Sequence, residues 1–221
     1  MMTYLLIFAL LAIVFAAFAA VGTEGCWHGL ITLVNVIFAA LIATNAYEPL
    51  ALRLHFAFPA FGYLADFLLL WILFAFVVAV LQYATRSLST VRVRLGGRLD
   101  QLLGFALALV TGWVLVCFTM MTLHTAPLPR EAFNDALAPR LDDSFADRLA
   151  PDRIWLNSVQ RLSYPAALGR GEGDEPSFDP AGEFILKYAS RRDDNHRAEP
   201  GLFSRRSWGA KVVLGKDQQA P

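Results

Sequence analysis

The chain has 221 residues, 56% of them apolar, and its 19 Lys+Arg balance its 19 Asp+Glu. That apolar share exceeds the roughly 45–50% of soluble domains. Without a basic surplus the chain has no footprint for a phosphate backbone, so no nucleic-acid partner is expected. The balance averages two unlike parts: residues 1–123 hold only five Arg and four acidic residues, and the remainder is densely charged.

The first part is free of Asp, Glu, Lys and Arg from 1 to 23, 25 to 47, 67 to 85 and 101 to 129. About 20 apolar residues in a helix cross a bilayer core roughly 30 Å thick. The expected fold is therefore an all-α integral membrane protein, a four-helix transmembrane bundle with a polar, partly disordered C-terminal tail. Helix 1 is expected over about Thr3–Gly22. Ala17-Phe18-Ala19 is a small-x-small cleavage pattern, but the stretch before it has no basic residue and the apolar run exceeds that of a signal peptide, so the run is read as a helix. Helix 2 is expected over Gly29–Ala46. Pro49, Pro59 and Gly62 mark a breaking connection whose apolar middle, Leu50–Phe56, would suit the interface. Helix 3 is expected over Leu64–Ala84 and helix 4 over Leu99–Leu123. Short connections make sequence neighbours antiparallel.

Basic residues in short loops set the orientation. The turn between helices 3 and 4 carries Arg86, Arg92, Arg94 and Arg98, against Arg53, Arg130 and Arg140 on the opposite side. The arginine turn is therefore assigned to the cytoplasm and both chain ends to the outside.

The expected domains are a transmembrane unit (1–128), an amphipathic helical juxtamembrane segment (129–163) and a mostly disordered polar tail (164–221). In the juxtamembrane segment, Pro129 and Pro151 suit the first turn of a helix, and Asp152 favours its N-terminus. Trp155, Val159 and Leu162 share one face, which could lie on the membrane, on the bundle or on a small core of the tail itself. From Tyr164 the composition turns to Gly, Pro and charge, as in Gly169-Arg170-Gly171-Glu172-Gly173. Asp179-Pro180 followed by Glu183–Tyr188 is the exception, a cap and a short helix.

Helix 4 carries the most ordered motif, Asp100, Gly104, Ala108 and Gly112 at four-residue spacing. Small side chains on one face let two helices approach closely, within the chain or between copies. Ala12, Ala16 and Ala20 echo the spacing in helix 1. The polar candidates are Asp66 and Asp100, at the starts of helices 3 and 4, and Asn35 inside helix 2. Each is either a relay station for an ion or proton, or a local pair: a helix-terminus carboxylate for the two acids, an interhelical hydrogen bond for Asn35. Cys26 and Cys117 fall at different depths, which argues against a disulfide, and no metal spacing surrounds them. The histidine weighed in the tail, His196, lies in the charged stretch Arg191–Glu199, and no Gly-x-Ser-x-Gly elbow occurs. No enzyme activity, cofactor or metal is expected.

The four helices, a basic turn before the last one and its opening Leu99-Asp100-Gln101-Leu102-Leu103-Gly104 resemble the CvpA family of colicin V production proteins. The resemblance covers about residues 3–128. Gly25-Cys26-Trp27-His28-Gly29 is similar to the family's glycine-containing start of helix 2, with His28 where Arg is usual and Ala108 where Gly is usual. Gly25 and Gly29 thereby join Gly104, Ala108 and Gly112 as helix-packing positions. The resemblance implies a multi-pass protein of the bacterial inner membrane, linked to toxin production or export and to envelope maintenance. It brings no catalytic residue. The expected function is a membrane scaffold whose partners are the bilayer, other membrane or envelope proteins and further copies of itself. The alternative is a small transporter or channel component using Asp66, Asn35 and Asp100 as polar stations.

Overall fold

A computed structural model describes residues 2–22, 25–57, 62–88, 96–126, 128, 150–164, 178–179 and 182–198. Among them the chain is helical, without strands. The helices are α1 (Met2–Val21), α2 (Cys26–Ala57), α3 (Gly62–Leu88), α4 (Gly97–Thr125), α5 (Pro151–Leu162) and α6 (Phe184–Ala198).

Three helices contain stretches long and apolar enough to cross a membrane: Cys26–Ala51, Leu64–Ser87 and Gly97–Thr125. The fourth apolar run yields a shorter segment, Leu6–Val21, within α1. The connection expected over residues 47–63 is instead largely helical, because α2 runs on through Pro49 to Ala57. Proline removes one backbone donor, but packing on neighbouring helices keeps a membrane helix intact. Tyr47 and Ala51, on either side of Pro49, are buried.

The helices do not simply pair in sequence order. α2 and α3 form an antiparallel hairpin, but α1 and α2 touch only lightly, as do α3 and α4. α4 lies between α1 and α2 and also meets both tail helices. The main core joins Val36, Ala40 and Ala43 of α2, Leu70 and Phe74 of α3, Cys117, Phe118 and Met121 of α4, and side chains of the tail. A smaller cluster joins Leu6 of α1 to Val116 and Met120 of α4. The outward faces are apolar, with Phe8 and Phe15 of α1 and Phe76 of α3 more than half exposed, as suits side chains facing lipid.

The Gly104–Ala108–Gly112 stripe packs inside the chain. A methyl group added at Gly104 would lie 3.1 Å from the Gly25 backbone, and one at Gly112 would lie 3.0 Å from the Val14 backbone. Ala108 is fully buried. Gly29 faces the Leu107 side chain, 3.2 Å from where a methyl would sit. A contact between copies through this stripe would have to displace α1.

Arg86 and Arg98 are exposed at the same end of the bundle, beside the α1–α2 connection. Arg92 and Arg94 lie outside the described residues, as do 129–149, the Gly- and Pro-rich stretch 165–177, and 199–221.

Candidate functional site

At the arginine-bearing end, Asp100 opens α4, yet its carboxylate serves another helix. Its Oδ1 accepts the backbone N–H of Cys26 at 3.2 Å. Cys26 is the first residue of α2, whose early N–H groups have no intrahelical partner and favour a negative charge. The chain reaches this geometry through Gly25, whose φ of +88° is costly for a residue with a Cβ. A methyl there would also lie 2.6 Å from Asp100 Oδ2. Asp100, Gly25 and Gly104 thus form one joint holding the start of α2 against α4.

Asn35 is buried within the α2–α3 hairpin and donates to Thr85 Oγ1 at 3.0 Å. Thr85 in turn bonds the Leu81 carbonyl of its own helix. Here the interhelical hydrogen bond is the geometry present.

The opposite end, where α2 and α4 finish and α3 begins, gathers the largest set of polar and aromatic side chains. Three separate links bring the tail helices onto it. Trp155 of α5 is buried, stacks edge-on against Phe118 at 5.8 Å, and donates its indole N–H to Thr44 Oγ1 at 3.2 Å. The face carrying Trp155 and Val159 therefore lies on the bundle. Asp152, in the first turn of α5, meets His124 at the end of α4, with Oδ2 to Nε2 2.8 Å. Burial works to raise the Asp152 carboxyl, but the hydrogen bond and charge of His124, with two backbone N–H groups, hold it below its ordinary value.

The third link is made by α6. Asp179 caps this helix, accepting the N–H groups of Glu183 and Phe184 at 2.9 and 3.0 Å. The short helix expected over residues 183–188 in fact runs to Ala198. Phe184 and Tyr188 are buried against the bundle end, with ring centroids 4.9 Å apart. The Tyr188 hydroxyl lies 3.1 Å from that of Tyr47 and donates to Asp66 Oδ2 at 3.1 Å. Arg191 donates to the same oxygen at 3.3 Å and lies over the Tyr188 ring. Burial, reinforced by Tyr47 and Asp66, pushes the Tyr188 phenol well above its ordinary value, so it stays a donor throughout the physiological range. Lys187 pairs with Glu48 at the exposed rim. Gln160 and Ser163 of the α5 end bond the backbone of Asp179 and Phe178, tying the two tail helices together.

Asp66 is therefore a side chain that receives the tail. Asp66, Asn35 and Asp100 sit at three different places along the bundle. His124, Thr44, Tyr47, Tyr188 and Arg191 escape a reading of local pattern, since their partners lie 28 to 141 residues away. One signal was available: Phe184, Tyr188 and Arg191 fall at i, i+4 and i+7 on one helix face. Cys26 and Cys117 are both free thiols. Among the described residues no group of His, Cys, Asp and Glu could hold a metal ion.

Comparison with protein families matches residues 6–144 to the family described as Colicin V production protein. No curated protein and no solved structure matches the chain.

Proposed function

The chain belongs to the colicin V production protein family, and from that membership we propose that it is a non-enzymatic scaffold of the bacterial inner membrane, serving toxin production or export and envelope maintenance. In this reading α1 is a fourth span, the arginine turn is cytoplasmic, and the tail-facing end lies in the periplasm. The partners are envelope or membrane proteins that meet the bundle at that end, and the chain acts by holding them. One observation carries the reading: the candidate polar side chains are engaged in joining helices. Asn35 bonds α3, Asp100 bonds the start of α2, and Asp66 bonds the tail. Conduction would instead need polar groups strung along a shared path.

The test is complementation in a bacterium deleted for its own family member, with colicin V output and envelope integrity as readouts. Asn35→Ala and Asp100→Asn, in preparations shown to fold and assemble normally, are expected to keep substantial activity, while crosslinked pulldown from membranes recovers the same neighbours as wild type. Loss of activity with folding, assembly and neighbours unchanged would overturn the scaffold in favour of a transporter.

A further inference from the structure

The two tail helices are held in different ways. α5 is anchored by a buried indole, a fully buried Val159 and the His124–Asp152 pair. α6 meets the bundle through one narrow face. Phe184 and Tyr188 supply its buried side chains, Ile185 packs partly buried beside them, and its recognition adds polar contacts. Tyr188 and Arg191 both direct donors at Asp66 Oδ2, and Tyr188 also reaches Tyr47. Leu186 and Lys187, between the two contact residues, are exposed.

We propose that Tyr47, Glu48 and Asp66 form an exchangeable helix-binding site for a helix presenting an aromatic ring, a tyrosine and an arginine at i, i+4 and i+7, with α6 as its resident occupant. The proposal rests on the reading of this end as the partner platform, and it names the chemistry of the partner. The carboxylate does the selecting. Asp66 is almost fully enclosed, with its side chain 5% exposed. A helix that offers no donor forfeits the two hydrogen bonds that Tyr188 and Arg191 make to Asp66 Oδ2, so the site discriminates against apolar helices of the same shape. Arginine suits the position because its flat guanidinium donates to the carboxylate while lying over the Tyr188 ring, 5.1 Å from the centroid. A helix of 15 residues is marginal in water by itself, so α6 draws its order from this contact and from its tie to the end of α5. A tethered occupant benefits from a high effective concentration, so only a competitor that reproduces the same three groups displaces it.

The rim pair makes the docked state measurable. Lys187 and Glu48 are in contact and both are well exposed, so a water-soluble carbodiimide should join them by a zero-length amide. The experiment uses the full chain in lipid nanodiscs, with the Lys187–Glu48 linkage quantified by mass spectrometry. The competitor is a synthetic peptide of residues 178–198. Excess peptide is expected to lower the intramolecular linkage severalfold and to become linked to Glu48 itself, whereas the same peptide bearing Arg191→Ala should leave the yield near its starting value. An unchanged linkage at saturating peptide would show that α6 is a fixed part of the fold, and equal competition by both peptides would show that Asp66 selects nothing; either overturns the proposal. Asp66→Asn in the full chain should reduce the linkage, and because the peptide arm uses wild-type protein, a folding defect in that variant leaves the test intact. The readout involves no phenotype. A failed competition leaves the scaffold standing, and a failed complementation result leaves the exchange standing.

Discussion

Asp152 shows how a single side chain ties the tail to the bundle. The sequence marks it as a residue favouring the start of a helix, but its partner, His124, lies 28 residues earlier, beyond the reach of a local pattern. Because the folded protein holds the Asp152 carboxyl below its ordinary value, the stabilisation is fully present above the unfolded value of about 3.9 and disappears as pH falls through the depressed folded value. α5 should therefore remain docked through mildly acidic conditions and loosen only in stronger acid. Asp152→Asn should loosen it at neutral pH by about 1.5–3 kcal/mol, the scale of a hydrogen bond to a charged group. Hydrogen exchange over Pro151–Leu162, corrected for the intrinsic pH dependence of exchange, reads both effects. Convergence of wild type and variant already at pH 5 would contradict the assignment.

At the scale of elements, α4 was the most legible part of the chain and also the one whose role needed the structure. Its small-residue spacing identified a packing face without identifying the partner. The partner turned out to be α1 together with the start of α2, since Gly112 meets the Val14 backbone and Gly104 the Gly25 backbone. Gly112→Leu should push α1 away and lower stability by roughly 1–3 kcal/mol, the usual effect of overfilling a tight contact. Its melting temperature in detergent should fall while its subunit number stays the same. A change in subunit number with unchanged stability would place the stripe between copies instead. Other elements were legible for local reasons: Asp179 as a cap, and Trp155 with Val159 as one face. By local pattern α2 ends near Ala46, because Pro49 is a strong breaker in water, whereas the neighbours of a membrane helix sustain it past a missing hydrogen bond and on to Ala57.

For the whole molecule, apolar run lengths established the class and three spans directly, while the assembly of the tail onto one end was not readable. That assembly depends on pairs such as Asp66–Arg191 and Tyr47–Tyr188, 125 and 141 residues apart, and no local pattern encodes such distances. The proposed orientation makes a direct prediction. In intact cells, cysteines placed near Arg86 or Arg98 should resist a membrane-impermeant thiol reagent, and one placed at exposed Lys187 should react, in a background with Cys26 and Cys117 replaced. The reverse pattern would invert the molecule.

The preference of α1 for α4 over α2 has a consequence for biogenesis. On a ribosome, α1 emerges well before its main partner, which begins only at Gly97. At synthesis rates of about 5–20 residues per second, the intervening ~75 residues correspond to a wait of roughly 4–15 s. In the proposed four-span topology, α1 rests in lipid during that interval beside α2 and α3, neither of which is its main packing partner. A helix waiting in lipid cannot carry a polar group whose partner has yet to be made, and from Leu5 to Val21 α1 is apolar at every position.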